Sequence, residues 1–304
     1  MPVIFVFVDG VGAGERDPEL NPLARQEYLL SHFSDGSGTV LPRGGQVVLA
    51  DACLGVPGRP QSATGQTTLL TGRNAPALLG RHLLGFPNAQ LREVLLRHSL
   101  FRALAESGRS ATFANAYPVA YLRALGFPCE GEPEFAFEGR RRPRASATTV
   151  AFSAGRGTFR TWSDARAGQG LTHDITAHRA RALGAAIAPR SPAEAAAILL
   201  ELAAVHDLTL FEFYETDEAG HARSMERAED ALRRLDAFLR AVVDGLPEGW
   251  SLVVASDHGN VEDLSTRNHT TSRVPVLGFG SAAEQLGGVV DLTGVSPLVD
   301  RAAT

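Results

Sequence analysis

Three short runs dominate the apolar pattern of this chain: Val3 to Val8, Leu208 to Tyr214 and Leu252 to Ala255. Each is four to seven residues long and rich in β-branched or aromatic side chains, the composition of strands buried on both faces. The stretches between them have helical period. Ser191-Pro192-Ala193-Glu194 forms a capping box with proline at the first helical position and leads into an alanine-rich helix ending near Val205. Met225, Ala228, Leu232, Leu235, Phe238, Leu239, Val242 and Val243 recur at three- and four-residue steps between charged positions, predicting one amphipathic helix that Gly245, Pro247 and Gly249 end. The order helix, strand, helix, strand predicts an α/β fold with a mostly parallel sheet.

From about Gly85 to about Gly170 this regularity is lost. Helical fragments give way to Glu130 to Glu138, then the basic run Arg140-Arg141-Arg142-Pro143-Arg144, then a Gly/Thr/Ser-rich stretch. The expected organisation is a core of residues 1–84 and 171–304 with an inserted cap, the substrate region, over 85–170.

In an open α/β sheet, ligands bind where loops leave the carboxyl ends of the strands. Asp9 follows the first run, Asp217 and His221 the second, and Asp257 and His258 the third, with His269 farther on. Taken alone, an Asp-His pair is an ordinary surface feature; this many placed at strand ends suit a site for two divalent cations. Carboxylate and imidazole together suit Mn or Zn, and Mg where oxygens dominate. Asp217 and His221 stand four apart and would face one way on a helical turn starting at Glu215 or Thr216. Gln61 to Gly72 reads as a tight turn entering a helix, with Ser62 near its N-terminus, where backbone N–H groups and the helix dipole favour an anion. A serine hydroxyl is a weak nucleophile unless its pKa is lowered, and contact with a divalent cation does that without a histidine base. A serine-hydrolase triad fits less well, because Ser62 lacks the flanking glycines of a nucleophile elbow.

Composition narrows the class. The 304 residues are 44% hydrophobic, enough for a large core, and the formal charge of -5 opposes a nucleic-acid scaffold. All 29 basic residues are arginine. Two cysteines, Cys53 and Cys129, build no disulfide framework, which suggests a reducing compartment. No apolar stretch reaches the ~18 residues of a membrane span. A soluble, cytoplasmic protein is expected, with no nucleic-acid or membrane partner; oligomeric state is not readable.

The motifs Val8-Asp9-Gly10-Val11-Gly12, Ser62-Ala63-Thr64-Gly65, Asp217-Glu218-Ala219-Gly220-His221, Ser256-Asp257-His258-Gly259-Asn260 and Asn268-His269-Thr270-Thr271 occur in this order. That ordered set resembles the alkaline phosphatase-like metalloenzyme superfamily, and within it the cofactor-independent phosphoglycerate mutases and phosphopentomutases, over about the first 75 and last 100 residues. The resemblance implies a three-layer αβα core with a smaller inserted cap. It further implies that Asp217, His221 and His269 hold one metal, that Asp9, Ser62, Asp257 and His258 hold the other, and that Ser62 is the phosphorylated nucleophile. Gln66 departs from the pattern, standing where those mutases usually carry histidine. Thr64, Arg140, Arg141, Arg142 and His173 are candidates for substrate contact. Three readings stay open: a phosphotransferase acting on a small phosphorylated metabolite with a mutase outcome, a phosphohydrolase on the same core, and a metal-binding protein without turnover.

Overall fold

The structure is a computed structural model, and residues 1–134 and 143–304 are described. The strands are β1 Val3–Val8, β2 Gln46–Ala50, β3 Ala111–Phe113, β4 Ala116–Tyr117, β5 Arg160–Thr161, β6 Leu208–Phe213, β7 Ser251–Ser256 and β8 Val274–Phe279. The helices of the first half are α1 Ser62–Thr71, α2 Ala75–Leu79, α3 Ala89–His98, α4 Leu100–Glu106, α5 Val119–Leu125 and α6 Ala147–Ala154. Those of the second are α7 Trp162–Arg166, α8 His178–Ala182, α9 Pro192–Ala203, α10 Glu215–Ala222, α11 Met225–Gly245, α12 Ser281–Gln285 and α13 Val295–Ala302.

Six strands form the main sheet in the order β2-β8-β7-β1-β6-β3. β7, β1, β6 and β3 pair in parallel, whereas β8 is antiparallel to both its neighbours. β8 alone is therefore reversed. Odd-numbered residues of β1 (Val3, Phe5, Phe7) pack on one face with α1, α4, α6 and α13, and even-numbered ones (Ile4, Val6, Val8) on the other with α9 and α11. This alternation makes the α/β fold three-layered. Each fully buried Phe or Leu in these faces contributes about 1.5–3 kcal/mol. On α9 the Ser191 hydroxyl accepts from Glu194 N–H while the Glu194 carboxylate accepts from Ser191 N–H, the capping box expected from sequence. α11 buries Ala228, Leu232, Leu235, Phe238, Leu239, Val242 and Val243 along one stripe. No helix among the described residues is long and apolar enough to cross a membrane.

Within residues 85–170 some elements join the core and others stand beside it. β3 extends the main sheet beside β6, with Ala111 opposite Leu208, and residues of α4 and α6 belong to the core. What stands apart is the two-stranded β4–β5 sheet and a small cluster of Ala116, Trp162, Ala165, Ala177, Ala180 and Ile187. Leu171, which bridges to Asn115, and Ile175 are buried in the core, and the chain then joins the small cluster through Ala177, Ala180 and Ile187. Helix α8 starts at His178, after Ile175 and Ala177, both with positive φ, have turned the chain.

Register aligns the functional edge. Val8 is opposite both Phe213 and Ser256, so the segments after β1, β6 and β7 leave the sheet side by side. Gly10 turns the first of them with a φ of 75°, and a Cβ there would lie 2.8 Å from the Cβ of Asp217. α1 approaches the third as closely: a Cβ on Gly65 would lie 2.8 Å from the Asp257 carbonyl oxygen. Gly65→Ala should gain about 1 kcal/mol of helix propensity but force an overlap costing about 1–3 kcal/mol. The expected result is a small change in thermal stability with at least a tenfold loss of turnover, because relief of the overlap moves Ser62. Unaltered turnover would show that α1 has slack at this contact.

Candidate metal centre

Asp9 sits one residue beyond β1, Asp257 and His258 directly beyond β7, and Asp217 in the first turn of α10, with His221 one turn later on the same face. His269 comes from the loop before β8. The structure brings these six side chains and Ser62 together. His221 Nε2 lies 3.2 Å from Asp217 Oδ2 and 3.2 Å from His269 Nε2, which is 3.5 Å from Asp217 Oδ1. Beside them, His258 Nε2 lies 3.2 Å from Asp9 Oδ1, 3.4 Å from Asp257 Oδ2 and 3.0 Å from Ser62 Oγ. The His258 and His269 rings stack at 3.7 Å, joining the two groups.

The donor atoms fit metal ions. Each histidine turns Nδ1 to a backbone carbonyl: His221 to Arg267, His269 to Pro60 and His258 to Gly259, at 2.8, 2.9 and 3.3 Å. Those bonds fix Nδ1 as the protonated nitrogen and aim the Nε2 lone pairs inward, the outer-shell arrangement of metal-ligating histidine. Between neutral rings that contact sets two lone pairs against each other, and a metal ion or a proton between His221 and His269 relieves it. Ligands about 2.0–2.1 Å from a tetrahedral ion stand about 3.3 Å apart, the spacing found here. Asp9 Oδ1 and Asp257 Oδ2 are buried with no hydrogen-bond partner. Buried oxygens of that kind are costly unless a cation neutralises them.

Electrostatics point the same way. Burial, reinforced by the charge of Asp217, holds Asp9 well above the usual carboxylate range; burial, then Asp9 and Asp217, does the same to Asp257. Burial also pushes Asp217 upward, but bonds from His221 and Asn260 and nearby imidazoles bring it down to about 2. Its bond to Asp217 raises His221 to about 9. Burial and neighbouring His258 lower His269 to about 4, and burial lowers His258.

Around this centre, Gln66 donates its amide to Asp9 Oδ2 at 3.0 Å, so the residue that replaces histidine holds a carboxylate in place. Asn260 donates to Asp217 Oδ1 at 2.6 Å. Buried Glu262 accepts from Gly12 N–H and Asn260 N–H, tying the loops after β1 and β7 together. Sequence reasoning passed over Asn260 and Glu262, although Asn260 lies inside the motif that carries Asp257 and His258.

A cavity of about 600 Å³ opens above Asp9, Ser62 and Asp217. His173 lines it, bonded to Asn115 Nδ2 at 2.9 Å and set against the Tyr117 and Tyr214 rings. Thr64 does not reach it: its buried hydroxyl donates to the Gln61 carbonyl and accepts from Leu83 N–H. Within α1 the Thr64 hydroxyl is thus held by two backbone groups. Arg140, Arg141 and Arg142 lie outside the described residues, as does much of the Glu130 to Glu138 stretch. Arg144, next along, places its guanidinium 4.8 Å over the Phe86 ring at the cavity rim.

Glu212 is the site residue that sequence reasoning missed and could have found, since it breaks the otherwise apolar face of β6. Its carboxyl lines the cavity, and burial, then the charge of Asp9, pushes it up to about 8. A carboxyl raised in the folded state lowers stability as pH rises from the ordinary carboxylate value, about 4.3, towards that folded value, and has no further effect above it. Glu212→Gln should therefore stabilise the metal-stripped protein at pH 8 by on the order of 2 kcal/mol or more and leave it unchanged near pH 4. Denaturant titration at both pH values checks this; equal shifts at both would mean that packing, not ionisation, sets the effect.

The geometry finds a counterpart among known proteins. A family model described as the metalloenzyme superfamily matches residues 187–297, which include Asp217, His221, Asp257, His258 and His269. By sequence, residues 187–297 are similar to the metalloenzyme superfamily. Over shorter stretches it is similar to a phosphopentomutase of Methylobacterium nodulans, 41% identical across 63 residues, and to a 2,3-bisphosphoglycerate-independent phosphoglycerate mutase of Pseudomonas fluorescens, 30% identical across 124 residues. These matches take in 21% and 32% of this chain but only 16% and 24% of those proteins. The fold as a whole is similar to a cold-active alkaline phosphatase from Shewanella sp., at 13% identity with a TM-score of 0.55 over all of both chains. The family match takes in five of the seven residues gathered here, Asp9 and Ser62 lying outside it, and the structural similarity bears on the fold.

Proposed function

We propose that this protein is a binuclear-metal phosphotransferase that acts on a small phosphorylated metabolite through phospho-Ser62. The observation that carries the reading is the position of Ser62: first residue of α1, with its Oγ 3.0 Å from His258 Nε2 and facing the group made by Asp9, Asp257 and His258. Asp217, His221 and His269 would hold one divalent ion and Asp9, Ser62, Asp257 and His258 the other. Two such ions supply the charge that acidifies a hydroxyl and neutralises a transferring phosphoryl group.

The chain's own groups do the rest. Gln66 and Asn260 fix the carboxylates of Asp9 and Asp217, so the donors need little rearrangement when charge develops. The N-terminal turn of α1 presents backbone N–H groups and the positive end of its dipole to phosphoryl oxygens. Ser62 Oγ attacks phosphorus, an Oγ–P bond forms as the ester P–O bond breaks, the serine proton passes to solvent water, and the departing alkoxide takes up a proton from solvent water. A second attack then returns the phosphoryl group to an acceptor. An acceptor hydroxyl on the substrate makes the enzyme a mutase, as the relatives' names suggest.

Water as acceptor is the second reading, and one observation favours it: the His221 side chain is 43% exposed, so that edge of the centre is open to solvent. Phosphorus NMR of the Mn-loaded protein with 3-phosphoglycerate, ribose 1-phosphate and an aryl phosphate separates the two. Isomerised ester without free phosphate establishes the mutase, and free phosphate alone the hydrolase. Failure of every ester to label Ser62 would end both.

A further inference from the structure

The cavity above Ser62 changes character with depth. Asp9, Ser62, Gln66, Glu212 and Asp217 form its polar base, whereas Phe86, Tyr117, Tyr121, Trp162, Leu183 and Tyr214 supply the larger side chains of walls that also carry polar groups. The apolar surface runs out to the rim, where Phe86 is 38% and Leu183 68% exposed, and Leu84 beside Phe86 is exposed as well. Exposed apolar side chains gathered at a cavity mouth mark a ligand site more often than chance.

Charge sharpens the picture. Among the described lining residues Arg179 is the one with a permanent positive charge, and Glu218 accepts from it at 2.7 and 3.3 Å while Glu215 accepts at 3.2 Å. Its guanidinium also covers Tyr214, 5.5 Å from the ring centre. Glu212, Glu218 and Asp174 bring three carboxyl groups to the same walls. Arg144, over Phe86, stands at the rim outside the lining, so a second anionic group held within the cavity would meet carboxylates and rings, and burying an unpaired charge is costly. A ring would instead gain about 25 cal/mol for each Å² of apolar surface removed from water, together with edge and face contacts to the tyrosines.

We propose that the cavity takes a phosphate monoester whose organic part is an uncharged aromatic group, with the phosphate at the polar base and the ring against the wall that the stacked Tyr117 and Tyr121 make with Trp162. This deepens the phosphoryl-transfer reading and rests on it for the phosphate's position. It excludes glycerate esters as preferred substrates, although the relatives that match in sequence include phosphoglycerate mutases.

The test compares kcat/KM of the Mn-loaded protein for 2-phenylethyl phosphate, glycerol 1-phosphate and 3-phosphoglycerate, alkyl esters that differ mainly in their organic part. The phenyl ester should lead 3-phosphoglycerate by at least about a hundredfold. Phe86→Ser with Leu183→Ser, at exposed positions that leave the core intact, should raise KM for the phenyl ester about tenfold and shrink its advantage. Equal or faster turnover of 3-phosphoglycerate overturns the proposal. Calorimetric binding of 2-phenylethylphosphonate against 3-phosphonopropionate reads the cavity without turnover. Preference for the phenyl compound with no turnover of any ester would sink phosphoryl transfer and leave the cavity assignment standing; preference for the carboxylated one would sink the cavity assignment itself.

Discussion

Asp217→Ala should bring the metal content of the purified protein from two ions to near zero and lower kcat/KM by at least about 10³-fold. The basis is the double use of one carboxylate. Asp217 Oδ2 faces His221 at 3.2 Å and Oδ1 faces His269 at 3.5 Å, while the same side chain also lies within ligand range of the group formed by Asp9 and His258. Loss of His269 would remove one donor from one group; loss of Asp217 removes a charge from both. Metal ions contribute several kcal/mol of charge stabilisation in a transition state, and each 1.36 kcal/mol is a factor of ten in rate. Folding is a separate question with a different expected answer. Asp217 raises the pKa of both Asp9 and Asp257, so its removal relieves repulsion among buried carboxylates while giving up its bonds to His221 and Asn260, two effects of opposite sign. The metal-stripped variant should therefore keep a cooperative thermal transition near that of the parent. Only the parent should then gain stability on adding Mn, by about 4 kcal/mol if the free ion stands a thousandfold above its Kd. Unchanged metal content by elemental analysis would remove the two-metal centre from consideration.

The sequence carried the central strands because β1, β6 and β7 are buried on both faces and must be apolar throughout. It carried the metal-centre candidates because their register puts the three strand ends side by side, and the residues just beyond them cannot avoid one another. The flanking strands were hidden for physical reasons. β8 contains Pro275 and Gly278, residues that weaken a strand reading, yet it lies inside the sheet between β2 and β7. β3 is three residues long, too short to show a period, and it was absorbed into the expected insertion. Polar partners such as Asn260 and Glu262 were equally hidden, since holding a ligand in place requires only a short side chain at the right point on a loop. The cavity walls come from α5, α7, α8 and the segments around them, and no spacing in sequence announces that Tyr117, Trp162 and Leu183 face one another. Substrate preference is for that reason a property read from the folded chain.

Ser62→Ala should separate metal binding from chemistry. The substitution removes one oxygen from the group around His258 but leaves Asp9, Asp257 and the whole of the other group in place, so most of the bound metal should remain. The helix should remain as well. Gln61 caps α1 without a side-chain hydrogen bond, and the Ser62 hydroxyl is turned to His258, not to a backbone N–H, so no cap is lost. Alanine is also the better helix former at that position. Against this intact background the acceptor oxygen for the phosphoryl group is gone, and turnover should fall by at least about 10³-fold. Acid quenching during turnover and peptide mass spectrometry should find a phosphoryl group on Ser62 in the parent and none in the variant. A label that survives on another residue, or turnover within tenfold of the parent at unchanged metal content, would mean that the centre activates water directly and that Ser62 only helps to hold metal.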